Sequence, residues 1–315
     1  MKNCRIKFIR GAMLLVAFFL AIMGYRSLRY GMSTTDQPVV PQPTDQAVGA
    51  INRSNAPAFM ILAVEGGRVD VMDRIKHLGV DLNRQDQFDG KTLMQKATAN
   101  NHLNAMKWLK EHGADINGKG DFGYTPMHEA AMKGHLDAMK WLREQGADIN
   151  AKAGVMGFTP MHWAANNNHL DAMRWLMEQG ADADVIGRFG HTPFHLAAGH
   201  GHLSAMGWLH EQGVDVSGKD IAGSTAMHLA AGQGQLDAMK RLKEYGADVR
   251  AKDNQGQTPM HLAAIDDYLD VLSWLKEQGA DVSEKDNNGQ TPLSLATENG
   301  QAKAAEWLRV NGMAE

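Results

Sequence analysis

Thiol groups are almost absent from this chain of 315 residues, because Cys4 is its single cysteine. The chain beyond Cys4 can therefore form no internal disulfide, which suits an oxidising compartment without requiring one. The sequence also lacks a Gly-rich phosphate loop, the HExxH and GxSxG motifs and a CxxC pair, which mark common catalytic or redox sites. We therefore predict no catalytic residue, no cofactor and no small-molecule substrate.

Basic residues are scarce beyond position 32. The first 32 residues hold six lysines and arginines and no acidic residue, so the remaining chain carries 26 basic against 36 acidic residues, a net charge of −10. Nucleic-acid binding needs a surplus of positive charge that neutralises phosphates. An acidic body without that surplus excludes nucleic acid as an expected partner.

A long uncharged apolar run spans residues 11–25, and basic residues precede it. A helix of this length measures about 22 Å, short of the roughly 30 Å hydrocarbon core of a bilayer. The length also matches the apolar region of a cleavable signal peptide. However, Arg26 and Arg29 follow the run directly, and Ile22 before Gly24 makes a poor cleavage pattern. We favour an uncleaved signal-anchor helix in residues 1–32, with a cleaved signal as the alternative.

The charges around this run predict an orientation. Four positive charges precede it and two follow it, which places the N-terminus in the cytoplasm. The body of this single-pass membrane protein is then exported, into the periplasm if the source is bacterial. With a cleaved signal, the body would be soluble in the periplasm or secreted. Residues 33–56 are rich in Pro, Gln and Thr and are a predicted flexible linker, because they bury too little apolar area to fold.

The rest of the chain repeats one phrase. TPMHEAAMKGHLDAMKWLREQGADIN begins at Thr125 and recurs from Thr159 as TPMHWAANNNHLDAMRWLMEQGADAD. A fixed period of this length indicates a stack of like units. The phrase resembles the ankyrin repeat family, and the resemblance covers about four-fifths of the chain. Further copies begin at Thr92, Thr192, Thr225, Thr258 and Thr291, 33 or 34 residues apart, and a degenerate copy begins at Ala58.

This resemblance implies an all-α solenoid of about eight helix-turn-helix units in residues 57–315, with turn or β-hairpin tips between the units. The residues suit such a unit. Thr125 fits a helix N-cap, and Pro126 fits the first helical position, where its missing N–H costs nothing. Gly134 and Gly146 fit the ends of the two helices. One unit cannot bury its apolar faces alone, so each unit depends on its neighbours.

Three columns of like residues invite a chemical role, but their spacing favours a structural one. Metal ligands lie about 2 Å from the ion, whereas equivalent atoms of neighbouring units should be roughly 10 Å apart. In the ankyrin family the histidine hydrogen-bonds the backbone between units. We therefore predict packing and hydrogen-bonding roles and no metal site. The columns are His128, His162, His195, His228 and His261; Trp108, Trp141, Trp175, Trp208, Trp274 and Trp307; and Met106, Met139, Met173, Met206 and Met239.

The resemblance also implies where a partner would bind. In this family the tips and the inner face of the first helices line a concave surface that binds other proteins. Apolar and aromatic residues fill successive tips here and then give way to polar ones, and such stripes are typical of binding surfaces. We predict that the chain binds another protein there. The predicted contact residues are Phe88, Phe122, Tyr124, Glu129, Met156, Phe158, Trp163, Phe189, His191 and Ile221.

Other functions stay open at this point. The repeats could form a spacer without a specific partner, if the tip side chains fold onto one another and stiffen the row. A secreted effector is another alternative. An enzyme or metal carrier is a third, and it would need a buried polar cluster outside the repeat columns.

The unit that begins at Thr225 departs from the others in two ways. Ala226 stands where five other units have proline, and Arg241 interrupts the tryptophan column. The stability of a repeat stack depends on each unit and on its interfaces with its neighbours. We therefore expect folding cooperativity to be lowest at this unit.

Overall fold

The computed structural model describes residues 51–312, and the predictions for residues 1–32 and for the linker as far as position 50 lie outside them. Within this range the chain forms eight successive pairs of α-helices. The pairs are α1 Ala56–Glu65 and α2 Val69–Ile75, α3 Leu93–Ala99 and α4 Leu103–Glu111, α5 Pro126–Lys133 and α6 Leu136–Glu144, α7 Pro160–Asn166 and α8 Leu170–Glu178, α9 Pro193–Gly199 and α10 Leu203–Glu211, α11 Ala226–Gly232 and α12 Leu236–Glu244, α13 Pro259–Ile265 and α14 Leu269–Glu277, and α15 Pro292–Glu298 and α16 Ala302–Gly312.

From α3 onward, the first helix of each pair begins at a threonine N-cap with a capping box. Thr125 is the N-cap of α5 and Pro126 is its first residue, as the sequence predicts. The hydroxyl oxygen and the backbone nitrogen of Thr125 lie 2.8 and 3.2 Å from Nδ1 of His128. Gly134 then ends the helix in the left-handed conformation, with φ of 68°. These residues set the bounds of α5 before any packing against other units.

One continuous apolar core runs through the described pairs. Small residues such as Ala130 and Ala131 are fully buried, which lets neighbouring first helices approach each other closely. On the second helices the methionine column is also fully buried, as Met139 on α6 shows. Thioether side chains adapt their shape to fill such gaps, so this column packs the core.

Turns connect the pairs, and we call the outermost residues of these turns the tips. Within residues 51–312 no strand forms, and the nearest approach to a hairpin is a pair of isolated β-bridges. One bridge joins Gln85 to Thr92 and the other joins Ala153 to Phe158. No helix in the described range is long and apolar enough to cross a bilayer.

Candidate protein-binding surface

Backbone hydrogen bonds join successive tips into a row. In each pair of neighbours, an amide of the later tip donates to a carbonyl of the earlier tip over 2.6–3.0 Å. These bonds fix the spacing of the tips along the stack. We call this arrangement the tip row. Its donors and acceptors are Asp121 to Gly90, Gly154 to Phe122, Arg188 to Met156, Ile221 to Phe189, Asn254 to Ala222 and Asn287 to Gln255.

Behind the tip row, the buried histidines bond one unit to the next. Nε2 of His128 lies 3.1 Å from the carbonyl oxygen of Phe158, and His162, His228 and His261 make the equivalent contact. Nε2 of His195 lies 3.1 Å from the carbonyl oxygen of Gly218, which stands earlier in the next connection. A carbonyl only accepts, so Nε2 carries the proton, and the amide of Thr125 only donates, so Nδ1 carries none. The rings are therefore neutral, and the predicted bonding role of this column is confirmed.

Burial is also the main cause that keeps these histidines uncharged. It lowers the pKa of His128, His162 and His195 to about 4. Within residues 51–312, no three histidine, cysteine, aspartate or glutamate side chains are grouped so that they could hold a metal ion. The column therefore offers hydrogen bonds between units and no charge for chemistry.

The structure divides the ten predicted contact residues by exposure. Phe88, Phe122 and Ile221 are exposed, at 85, 62 and 64%. Tyr124, Met156, Phe189 and His191 are half-buried, and Glu129, Phe158 and Trp163 are buried. Two exposed apolar residues join the first group, Val155 and Ile186. The sequence analysis did not select Ile186, although it stands in the same connection as Phe189.

The covered aromatic residues form a cluster at the base of the tips. The ring of Trp163 meets those of Tyr124 and Phe158 edge to face, with centroids 5.6 and 6.0 Å apart. Phe158 also stacks on His162 at 4.8 Å. Trp163 keeps its indole N–H buried without a hydrogen-bond partner within the described residues. In this conformation these side chains support the exposed tips from behind and leave little surface for a partner to touch.

Glu129 takes part in a covered ion pair. Its Oε2 lies 2.7 Å from Nζ of Lys91, which comes from the preceding tip. Burial and the negative charge of Glu129 raise the pKa of Tyr124 to about 12, so that phenol stays neutral. The pair links a tip to the first helix of the next unit, so Glu129 has its charge satisfied within the stack.

A second buried charge escaped the sequence analysis. Lys96 occupies the position where the last four units have leucine, and its Nζ lies 2.8 Å from carboxylate oxygens of Glu65, Asp86 and Asp89. Burial lowers the pKa of Lys96, but the hydrogen bonds that Lys96 donates to the three carboxylates, together with the negative charge of Glu65, outweigh burial and raise the pKa of the lysine. The sequence signal was a lysine in a leucine column. That lysine alone did not indicate its acidic partners, because they come from α1 and from the first tip.

Comparison with known proteins identifies this architecture. A family model for ankyrin repeats matches residues 60–153, 154–220, 195–286 and 227–314. The chain belongs to the ankyrin repeat family. Ankyrin repeats form a protein–protein interaction module, and the family is generally not enzymatic.

Two curated relatives are similar over a short stretch of this ankyrin repeat chain. They are proteins named Potassium channel AKT1, from Oryza sativa subsp. indica and subsp. japonica. Each is 34% identical over 68 residues, which is 22% of this chain and 7% of the channel. The match thus spans a small fraction of the relatives' length.

Proposed function

We propose that this chain is a membrane-tethered protein-interaction module that binds another protein through the face formed by the tips and the first helices. The ankyrin repeat family supports the binding role. The exposed apolar side chains on successive tips support the location. Apolar side chains gathered on one face are typical of a surface that a partner covers.

Phe122 is the observation that carries this proposal. Its side chain is exposed, and its φ of 59° lies in the left-handed region, which bulky residues rarely adopt. That conformation costs about 1–2 kcal/mol in a non-glycine residue. An exposed ring adds little to the fold in return, and strained residues of this kind cluster at functional sites.

The test replaces Phe122 with asparagine, which tolerates the left-handed conformation. We expect Phe122→Asn to keep or raise thermal stability and to abolish recovery of the partner when tagged full-length protein is cross-linked in cells. Val310→Asn is the matched control, because Val310 is 63% exposed on α16, away from the tips. Recovery of the same partner by the wild type and by both variants would refute binding through the tips.

A spacer without a specific partner is the second candidate, and the aromatic cluster favours it. Tyr124, Phe158 and Trp163 fold onto neighbouring units, as reinforcement of the row would require. A spacer predicts that Phe122→Asn leaves cellular behaviour unchanged. It also predicts that Trp163→Ala acts on stability alone, with a loss of about 3–5 kcal/mol.

The tether in this proposal rests on the sequence of residues 11–25. We propose a cytoplasmic N-terminus and an exported body, with cleavage of the segment as the alternative. Membrane fractionation with a protease-accessibility assay on a C-terminal tag tests this. A tag that sediments with membranes and stays protected until the outer compartment is opened supports the tether. A tag that is soluble in that compartment indicates cleavage, and a cytosolic tag overturns export.

A further inference from the structure

A cleft opens between the connections that follow α10 and α12. Two cavities of about 370 and 380 Å³ lie there, and both are lined by Val216, Ser217 and Ala247, so they form one continuous space. No tip residue and no residue of a first helix lines either cavity. This space, which we call the connection cleft, is therefore separate from the face on which we place the protein partner.

One residue of the repeat explains why the two connections are not tied together here. Earlier in the stack, Oδ1 of Asn117 accepts from the amide of Asp148 in the next connection at 3.1 Å. Ser217 holds the same repeat position and is too short for this bond, so its hydroxyl donates to Asp215 at 2.7 Å. The amide of Asp248, which is the equivalent of Asp148, makes no hydrogen bond within residues 51–312. The cleft thus holds a backbone donor without an acceptor.

One end of the cleft also carries two cations without an ion pair. Arg250 is exposed, and its guanidinium has no partner in the described part of the chain. Nζ of Lys219 donates to the carbonyl oxygen of Lys252 at 3.0 Å and pairs with no carboxylate among the described residues. The carboxylates of Asp215 and Asp248 are engaged in their own turns, because Oδ1 of each accepts from the amide two residues later at 2.8 Å. This end therefore offers N–H donors and positive charge.

The other end of the cleft is aromatic. The rings of His210 and Tyr245 are stacked, with centroids 3.8 Å apart and an angle of 17° between their planes. Both residues line the second cavity. Val216 and Ala247 line both cavities and so connect the two ends. The cleft runs from a flat aromatic wall, over a short apolar stretch, to the group of donors.

We propose that the connection cleft binds a small anionic molecule with a planar aromatic ring, either a phosphate ester or a carboxylic acid. Its ring would lie against His210 and Tyr245, and its anion would accept from Lys219, Arg250 and the amide of Asp248. Hydrogen bonds between charged donors and an oxyanion are stronger than neutral ones. Aromatic pairs gain energy beyond the area that they bury. This inference goes beyond the proposed protein-binding function and does not depend on it.

Isothermal titration calorimetry of the full-length chain in detergent tests the proposal with four probes. Naphthyl phosphate and naphthoate carry both a ring and an anion, naphthylmethanol lacks the charge, and inorganic phosphate lacks the ring. At physiological ionic strength we expect saturable binding of at least one ring-bearing anion, and binding of the two incomplete probes at least about tenfold weaker. Tighter binding of naphthyl phosphate identifies a phosphate ester as the ligand, and tighter binding of naphthoate identifies a carboxylic acid.

Substitutions at both ends of the cleft locate the site. Lys219→Gln with Arg250→Gln should weaken the ring-bearing anion about tenfold, because two charged donors are lost. Lys152→Gln is the matched control, since Nζ of Lys152 contacts the carbonyl oxygen of Ile186 at 3.2 Å in the same way but lines neither cavity. It should leave binding unchanged. Tyr245→Phe keeps the ring and should retain binding, whereas Tyr245→Leu should weaken it.

Ser217→Asn gives a readout in which stability and binding change in opposite directions. The longer side chain can accept from the amide of Asp248, as Asn117 accepts from Asp148. The variant should therefore have a higher Tm and yet bind the ring-bearing anion at least about fivefold more weakly, because its amide occupies the position of the anion. In the wild type, the ligand should slow hydrogen exchange in α11 and α12, since it binds only the folded stack.

Several results would overturn the inference. They are no saturable binding of either ring-bearing anion, equal binding of naphthylmethanol, and binding that Ser217→Asn leaves unchanged. Equal weakening by Lys152→Gln and by the paired substitution of Lys219 and Arg250 would also overturn it, because the anion would then follow surface charge in general. Recovery of the cellular partner by Phe122→Asn tests the protein-binding function separately, so that function stands if the connection cleft binds none of the probes.

Discussion

Lys96 shows how one side chain can replace an apolar contact with charge. Its ammonium group takes the place of a leucine and gathers carboxylates from α1 and from the first tip. Burial alone would raise the pKa of Asp86, but hydrogen bonds from Lys96 and from the amide of Phe88, together with the positive charges of Lys96 and Arg84, outweigh burial and lower it. The group ties the degenerate first unit to the second one, where the repeat pattern is weakest.

We expect Lys96→Met to lower the free energy of unfolding by about 3–5 kcal/mol, because three half-buried carboxylates lose the buried cation that they share. Urea denaturation at pH 7 measures this. Lys240→Met is the control, since Lys240 pairs with Asp237 at an exposed site, and its effect should stay below about 1 kcal/mol. Comparable losses in the two variants would show that the buried group has no special weight.

The histidine column makes stability depend on pH in a defined window. Unfolded histidine has a pKa of about 6.5, and burial lowers the pKa of His195 to about 4 in the fold. Below pH 6.5 the unfolded chain therefore binds a proton that the folded chain does not. Stability is unaffected above that range, falls as pH drops from about 6.5 to about 4, and changes no further from this cause at lower pH.

Gln95 supplies the variant that tests this window. Gln95 occupies the same repeat position as His195. Its Oε1 accepts from the amide of Thr92 at 2.8 Å, and its Nε2 donates to the carbonyl oxygen of Tyr124 at 3.0 Å. His195→Gln should therefore keep most of the stability at pH 7.5. At pH 4 it should lose less than the wild type loses, by up to about 3 kcal/mol for one such residue. Thermal unfolding of both proteins, measured in steps from pH 7.5 to pH 4, tests this prediction. An equal loss of stability with falling pH in the wild type and in His195→Gln would contradict it.

At the scale of the element, the tips depend on glycine for two separable reasons. Gly223 and Gly289 have φ of 78° and 77°, so both sit in the left-handed region. A Cβ at Gly223 would lie 2.8 Å from the backbone nitrogen of Asn254 in the next tip. A Cβ at Gly289, in the last tip, would meet nothing within 4 Å. One residue thus carries conformational strain and a tip contact, and the other carries the strain alone.

We expect Gly289→Ala to destabilise the chain by about 1–2 kcal/mol through its backbone conformation. Gly223→Ala should cost about 1–3 kcal/mol more, because the added carbon pushes two tips apart. Chemical denaturation of the two variants under the same conditions gives the difference. Equal losses of stability in the two variants would mean that the tips around Gly223 move apart without an energetic cost.

The elements themselves could be predicted from the sequence, whereas the exposure of the tips could not. Thr125 and Pro126 define a helix start locally, and the threonine recurs at the start of the first helix in seven units. The helix α1 lacks this threonine and begins at Ala56, three residues before the position that the degenerate copy from Ala58 indicates. Phe158 and Phe122 are both aromatic residues of a tip region, yet one is buried and the other exposed. Their difference depends on which side of the turn each residue occupies and on the left-handed backbone of Phe122. Neither follows from hydrophobicity or from the repeat period.

At the scale of the molecule, the hydrogen bonds between units are shared by neighbours, so stability is expected to vary along the stack. A second histidine column bonds backward, as when Nε2 of His202 contacts the carbonyl of Asn166 at 3.0 Å. Gln235 takes that position in the unit of α11 and α12, and its side chain makes no such bond within residues 51–312. Arg241 is exposed and pairs within its own helix with Glu244 at 3.2 Å. This unit is therefore the expected weak point of the described stack.

Hydrogen exchange of wild-type protein should show the least protected helical amides in α11 and α12. Ala226→Pro should slow their exchange about two- to fivefold, because proline restricts the unfolded chain by about 0.4–1 kcal/mol. Thr225 already has the extended backbone that precedes proline at Thr258, with φ of −96° against −104°. Pro259→Ala is the reciprocal control and should speed exchange in α13. Uniform protection from α9 to α14 that Ala226→Pro leaves unchanged would contradict this prediction. It would mean that these helices open together and that the pair α11 and α12 is no less stable than its neighbours.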